Sequence, residues 1–188
     1  MKRKRTLFKK EVAAMDRERF KFLDESSVNM SLTRLYGRAA PDQRVVDSAP
    51  LPSGPQTTTL AVIGLAGLTA PLVLSGAVNG TVFYGYIQQC VVPTLNPGDV
   101  LFMDNLSAHK VAGIEALIEA RGAHLIYLPP YSSDLNPIEL AWSKVKTILR
   151  RLKARTFPDL IEALKHALLA ITPQDIQGWF AHCGYAIN

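Results

Sequence analysis

Every residue from position 48 to position 98 is uncharged, and this long neutral stretch limits what the chain can fold into. Its central part, residues 60–78, approaches the roughly 20 apolar residues that a membrane-spanning helix requires. Glycine, proline and serine interrupt it, however, at the spacing of turns and strand ends. We therefore predict a β-hairpin, with strands at residues 58–65 and 71–74 and a turn at 66–70, in preference to a membrane span.

The remaining elements follow from periodicity and from capping signals. Strands are predicted at residues 19–23, 100–103 and 123–128, and helices at 81–92, 110–120, 137–155 and 158–171. Residues 26–57 are rich in Ser, Pro and Gly and predict a long loop. Strands that alternate with helices pair in parallel, whereas the hairpin supplies an antiparallel edge. The order predicts an α/β fold with a ribonuclease-H-like mixed sheet flanked by helices.

Three acidic residues fall at predicted ends of elements. Asp24 ends the first strand, Asp104 follows the strand at 100–103, and Glu139 opens the long helix. Polar groups at the carboxyl ends of adjacent strands meet in one crevice, where carboxylates repel each other unless a cation lies between them. Oxygen ligands without His or Cys favour magnesium or manganese over zinc. Two such ions can stabilise the attacking and the leaving oxygens of a phosphodiester displacement.

Each acid also has a purely structural interpretation. Asp24 and Asp104 are the kind of residue that commonly forms turns after strands. Glu139 is the third residue of a helix that Asn136 caps and Pro137 begins, so it would complete a capping box. Taken singly, the three residues leave both interpretations open.

Two longer motifs are more specific. The sequences MDNLSAHK at residues 103–110 and LPPYSSDLNPIE at 128–139 resemble the catalytic core of mariner-superfamily transposases, in their bacterial insertion-sequence branch. The sequence FLDES at 22–26 resembles the strand that carries this family's first catalytic aspartate. Thirty-four residues separate Asp104 from Glu139, which is the spacing of this branch. The resemblance extends from about residue 20 to residue 185.

The resemblance implies that Asp24, Asp104 and Glu139 form the DDE triad and hold two Mg²⁺ (or Mn²⁺) ions. The implied substrate is double-stranded DNA, namely transposon inverted repeats and a target expected to be TA, acted on in the bacterial cytoplasm at the nucleoid. Asn105 and His109 match recurrent positions and are expected to support the triad or, for His109, to contact DNA. For His109, an ordinary residue at a helix start is the alternative.

Positive charge is concentrated in two segments. Residues 1–21 carry nine Lys or Arg against three acids, and residues 144–155 carry six Lys or Arg and no acid. A polyanionic partner is one explanation, and solvated surfaces are the other. Because an apolar stripe lies along the long helix, its cations are expected on the remaining surface, where they would bind DNA phosphates. The expected contacts are Lys144, Lys146, Arg150, Arg151 and Lys153.

The predicted organisation is a basic linker at residues 1–19 followed by the catalytic domain at residues 20–188. Too few residues precede Asp24 for the helix-turn-helix region that the family uses to recognise transposon ends. We therefore expect a homodimer or a partner chain that supplies DNA recognition. The predicted function is metal-dependent DNA cleavage and strand transfer. The alternative is an inactive or truncated transposase remnant that binds DNA or dimerises with an intact transposase.

Overall fold

The computed structural model describes residues 2–51, 56–105 and 109–186. Five strands and six helices make up its regular structure in this part of the chain. They are α1 (Lys2–Ala13), β1 (Phe20–Val28), β2 (Thr57–Gly64), β3 (Gly67–Ser75), α2 (Gly80–Tyr86), β4 (Val100–Met103), α3 (Ile114–Glu119), β5 (His124–Tyr127), α4 (Pro137–Leu152), α5 (Phe157–Leu169) and α6 (Pro173–His182). A π-helical turn at Ile87–Val91 extends α2.

The strands form one sheet in the order β3-β2-β1-β4-β5. Strand β1 pairs antiparallel with β2, which pairs antiparallel with β3. On its other edge β1 pairs parallel with β4, and β4 pairs parallel with β5. The prediction of an α/β fold with a mixed sheet and an antiparallel edge is confirmed.

Each face of the sheet has its own buried core, because successive side chains of a strand point to opposite faces. Phe20, Phe22 and Phe102 lie on the face that α1, α4, α5 and α6 cover. The rings of Phe22 and Phe102 stack with centroids 4.7 Å apart. Leu23 and Met103 belong to the opposite core, against α2 and α3. The helix α4 therefore packs on the face to which even-numbered residues of β1 and β4 point.

The neutral stretch forms the predicted hairpin, with a tighter turn than expected. Strand β2 is buried along its whole length, and only two residues, 65 and 66, connect it to β3. Gly67 takes up a φ of 136°, which a residue without Cβ adopts at little cost, so β3 begins there. No helix in the described residues is long and apolar enough to cross a membrane.

Strand β1 is longer than predicted, and this corrects the position of Asp24. The sequence pattern ended the strand at Leu23, whereas β1 continues to Val28, and Asp24 lies inside it opposite Ala61 of β2. The polar residues after Asp24 stay in the strand because β2 supplies a continuous pairing partner. The hydroxyls of Ser27 and Thr58, for example, are 3.2 Å apart. The predicted loop at 26–57 is correspondingly shorter.

Two helices were not predicted. Helix α1 occupies most of the segment interpreted as a linker, and its Phe8 and Val12 are buried in the core beneath α4. Two buried apolar residues among Lys and Arg produce too weak a periodicity to predict a helix. Helix α6 begins with a capping box formed by Thr172 and Asp175. Whether residues 1–19 also serve as a linker in a longer protein stays a prediction.

Boundaries of all four predicted helices also differ from those observed. The helix expected at 137–155 ends at Leu152, because Lys153 takes up a left-handed φ of 52°, and the one expected at 158–171 spans Phe157–Leu169. The helix expected at 81–92 begins one residue earlier, and its cap is Asn79, which accepts a hydrogen bond from the backbone N–H of Val82, rather than Thr81. The helix expected at 110–120 is reduced to α3, because Gly113 has a φ of 90° and interrupts the backbone before Ile114.

Candidate active site

The sheet register brings two of the predicted acids together. In the parallel pairing of β1 with β4, Phe22 lies beside Phe102. Two residues further along each strand, this register brings Asp24 beside Asp104, which directly follows β4. Both side chains follow the alternation of the stacked phenylalanines and so point to the face covered by α4. The adjacency results from strand pairing, since the two residues are far apart in sequence.

Helix α4 brings the third acid to the same place. Ile138 and Trp142 anchor the first turns of α4 in the core, and Glu139 lies about 60–100° from them around the helix axis, at the exposed margin of this face. The side chains of Asp24, Asp104 and Glu139 all line one cavity of about 360 Å³. The structure therefore assembles the three predicted acids around a single space.

Asp24 is the buried member of the three, with 7% of its surface exposed. Burial, followed by the negative charge of Glu139, raises the pKa of Asp24 to about 7. Asp104 adds a smaller repulsion of the same sign. Within the described residues, no Lys or Arg forms an ion pair with Asp24. The ionised form of Asp24 is therefore electrostatically destabilised in the absence of a cation.

His109 contacts Asp104 directly through its Nδ1 atom, which meets carboxylate oxygen Oδ1. The imidazole is 2% exposed, and it stacks on Phe83 with ring centroids 4.5 Å apart. Burial lowers the pKa of His109, but the hydrogen bond and the charge of Asp104 outweigh it, so the net shift is upward. Asn105, the other predicted supporting residue, lines the cavity. Because the imidazole is both stacked on Phe83 and bonded to Asp104, it can hold the carboxylate of Asp104 in one orientation.

The start of α4 lacks the capping box that the sequence predicted. Asn136 occupies the N-cap position, but its side chain makes no capping hydrogen bond. Its Oδ1 atom is buried without a hydrogen-bond partner among the described residues, and its side chain lines the cavity. The structural interpretation of Glu139 as half of a capping box is therefore wrong for this conformation, and the carboxylate of Glu139 is available to the cavity.

A stability measurement distinguishes these two helix starts. We expect Asn136→Ala to change the free energy of unfolding by less than about 0.5 kcal/mol, because no capping bond is lost. Thr172→Ala, which breaks a formed capping box, should cost about 1 kcal/mol. Urea denaturation of both variants measures the difference. An equal loss in the two variants would mean that Asn136 caps α4 in solution.

The donor set of the cavity suits a hard divalent cation, since all three acids offer oxygen. The raised pKa of Asp24 reflects an unfavourable burial of its negative charge, which a bound cation would offset. As the side chains stand, no three His, Cys, Asp or Glu residues of the described segments are close enough together to hold one metal ion. Glu139, which is exposed at the rim of the cavity, has the side-chain freedom to turn inward.

The predicted DNA-contacting cations of α4 separate into two groups. Lys146 and Arg150 lie seven and eleven positions after Glu139, so they project within about 20° of it around the helix axis. Lys144 points about 140° away, and its Nζ atom forms a 2.5 Å ion pair with Asp175 of α6. The Nζ atom of Lys153 lies 3.1 Å from a carboxylate oxygen of Asp47. Lys146 and Arg150 thus share a helix face with Glu139.

One residue with a structural role at the site was missed. The guanidinium of Arg5 in α1 donates to Ser132 at 3.1 Å and to Asp134 at 2.8 Å. Ser132 lines the cavity, so Arg5 holds the loop that leads from β5 to α4. In the sequence, Arg5 is one of several cations in a basic run, and nothing in that run distinguishes it.

A mixed five-stranded sheet in the order β3-β2-β1-β4-β5, flanked by helices, is a ribonuclease-H-like fold. The sequence profile of DDE superfamily endonucleases matches residues 19–162. The chain belongs to this family. No curated protein matches the sequence at a significant level.

Solved structures support the same fold assignment. A Mos1 transposase paired-end complex with left transposon end superposes with a TM-score of 0.74 at 15% identity, covering 95% of this chain and 56% of that chain. The catalytic domain of Mos1 mariner transposase gives a TM-score of 0.61 at 12% identity, covering 97% of this chain and 91% of that chain. The catalytic core domain of BIV integrase gives a TM-score of 0.52 at 16% identity, covering 89% of this chain and 99% of that chain. The chain thus spans little more than half of the Mos1 chain in the paired-end complex.

Proposed function

We propose that this chain is the catalytic domain of a transposase, which cleaves DNA at transposon ends and transfers the cut strand to a target. Its membership of the DDE superfamily endonucleases supports the chemistry. The observation that carries the proposal is the common cavity of Asp24, Asp104 and Glu139, built from two adjacent strands and the helix across them.

The three carboxylates are proposed as the ligands of Mg²⁺ or Mn²⁺, two ions in all. Matching Mos1 paired-end complexes contain Mn or Mg. Divalent ions bound there would stabilise the charges that develop on the attacking and leaving oxygens. The fold positions these ligands. Asp24 and Asp104 lie on paired strands, and Glu139 lies at the start of α4, where its side chain would turn inward when a cation is present. His109 fixes the orientation of Asp104 through its Nδ1 atom.

Duplex DNA is the proposed substrate, held along α4. Lys146 and Arg150 follow Glu139 on one helix face, so a strand whose phosphate lies at the cavity can meet both cations further along the helix. Lys144 and Lys153 contribute to the positive potential, although each has a carboxylate partner. The matching Mos1 transposase complexes carry transposon-end DNA. Phosphate contacts of this kind position DNA without reading its sequence.

Further parts of the proposal follow from the resemblance of the motifs. The chain is assigned to the bacterial insertion-sequence branch of the mariner superfamily, acting at the nucleoid. Its target is TA, and it works as a homodimer or with a chain that recognises the inverted repeats. The alternative of an inactive remnant is disfavoured, since all three acids are present around one cavity.

A nicking assay tests the proposed function. Supercoiled DNA that carries the transposon's inverted repeats is incubated with the protein and Mn²⁺, and an Asp104→Ala variant is the control. The wild-type chain should produce nicked circles, and the variant should produce none above background. Equal nicking by the two proteins would show that the activity does not come from this cavity.

A second prediction concerns His109. His109→Ala should lower the nicking rate by about 10- to 100-fold, the usual effect of removing a group that orients a metal ligand. The proposed cause is a looser Asp104, so the affinity for Mn²⁺ should fall as well. Asn can replace the Nδ1 contact, and His109→Asn should recover part of both. If Ala and Asn variants lose activity equally while keeping wild-type Mn²⁺ affinity, His109 does not act through Asp104.

A further inference from the structure

A second cleft, of about 790 Å³, lies between the segment at residues 29–51 and the end of α4. The segment leaves the sheet after β1 and has no regular secondary structure. Five cations and one acid line the cleft. They are Arg34, Arg44, Arg150, Arg151, Lys153 and Asp47. This surface is separate from the cavity of the three carboxylates.

Specific contacts hold the segment against α4. Near its start, the Nη1 atom of Arg155 donates to the carbonyl oxygens of Met30 at 2.9 Å and Leu32 at 3.3 Å. Near its end, the Nζ atom of Lys153 bonds to Asp47 at 3.1 Å. Both anchors come from the three residues after α4. They fix the two ends of the segment, so the residues between them form a wall facing the helix.

The four arginines of the cleft have no anionic partner in the part of the chain that the structure describes. Arg34 and Arg44 on the segment, and Arg150 and Arg151 on α4, make no ion pair with any carboxylate of the described residues. Asp47, the one acid among the described residues that line the cleft, is already bound to Lys153. Four like charges that face one space repel each other, and a polyanion entering that space would relieve the repulsion.

The distance from the carboxylates suits a continuous duplex. Arg150 follows Glu139 by eleven residues, which corresponds to about 16 Å along the helix axis, and lies on the same helix face to within about 20°. Successive phosphates of one strand advance about 3.4 Å along the duplex axis. If the duplex axis runs along α4, a strand whose reacting phosphate lies at the cavity reaches the cleft about five nucleotides away.

We propose that this cleft binds the phosphate backbone of duplex DNA, with the segment at residues 29–51 as its second wall and Arg34 and Arg44 as contacts. The inference rests on the proposed function for its substrate. It adds a role for the long segment between β1 and β2, which the carboxylate chemistry does not require.

The test compares an Arg34→Gln/Arg44→Gln double variant with Arg38→Gln. Arg38 belongs to the same segment but does not line the cleft. Binding of a labelled 30-base-pair duplex is measured by fluorescence polarisation over a series of KCl concentrations, with Ca²⁺ replacing Mn²⁺. Losing two phosphate contacts should weaken binding about tenfold or more and reduce the slope of log K against log [KCl] by about two. Arg38→Gln should stay close to the wild type in both quantities.

Each outcome bears on the inference separately from the catalytic proposal. Wild-type affinity and slope in the double variant would overturn the inference, as would an equal loss in Arg38→Gln, which would indicate only a general effect of charge. A wild-type chain that does not nick DNA but depends on Arg34 and Arg44 for binding would leave the cleft standing and remove the catalytic proposal. A chain that neither nicks nor binds DNA would remove both.

Discussion

Replacing Glu139 by Gln is expected to reduce Mn²⁺-dependent nicking about a thousandfold while leaving the stability of the protein nearly unchanged. A thousandfold loss corresponds to about 4 kcal/mol of transition-state stabilisation, within the several kcal/mol that metal-ion catalysis supplies. Gln keeps the size of the side chain and removes only its charge. Stability should hold, since Glu139 is exposed and its predicted capping box is not formed.

Glu162→Gln is the matched control. Glu162 is also an exposed glutamate on a helix, and it is not among the residues that line the cavity. It should nick at the wild-type rate. Nicking rates come from a time course on supercoiled DNA, and stabilities from urea denaturation. If Glu139→Gln nicked at the rate of the control, Glu139 would have no part in the chemistry. If it unfolded far more easily, its role would be structural.

The second large effect is a gain of stability in Asp24→Asn. The unfolded chain ionises Asp24 near its ordinary pKa of 3.8, whereas burial and Glu139 raise the folded pKa to about 7. The resulting penalty on the folded state is absent below about pH 4, grows as the pH rises, and is complete above pH 7. It reaches on the order of 4 kcal/mol. In EDTA, the difference in unfolding free energy between Asp24→Asn and the wild type should therefore increase in favour of the variant by about 2–3 kcal/mol from pH 5 to pH 8.

Asp99→Asn provides the contrast. Asp99 is also buried, at 3% exposed, but it has cations near it: the Nζ atom of Lys21 at 3.5 Å and a guanidinium nitrogen of Arg19 at 4.0 Å. Removing its charge breaks a buried pair and should destabilise the protein. Urea denaturation at both pH values measures the two variants. A loss of stability at pH 8 in Asp24→Asn as large as that in Asp99→Asn would contradict the electrostatic account of the cavity.

The fold was predictable from sequence wherever periodicity was strong. Strand β4 was predicted at its observed bounds, because four apolar residues follow a clear turn signal. Strand β1 was predicted too short, since the pattern turns polar at Asp24 while its pairing with β2 continues. Helix α1 was missed because only Phe8 and Val12 face the core, and their burial depends on a surface that other elements create.

The candidate site divides in the same way. The identities of Asp24, Asp104 and Glu139 came from motifs and spacing, which the sequence contains in full. The adjacency of Asp24 and Asp104 depends on the parallel register of β1 and β4, which is a property of the assembled sheet. The cleft beside Arg34 and Arg44 depends on hydrogen bonds from Arg155 to backbone carbonyls. No local pattern predicts such contacts, because backbone acceptors are the same at every residue.

The most direct test of the metal site is a titration of the protein with Mn²⁺, followed by the electron paramagnetic resonance signal of the free ion. The wild type is compared with Asp24→Asn, Asp104→Asn and Glu139→Gln, each first shown to be folded by circular dichroism. We expect the wild-type chain to bind two ions, and each variant to bind at least about tenfold more weakly. Wild-type affinity and stoichiometry in all three variants would contradict the assignment of Asp24, Asp104 and Glu139 as the metal ligands.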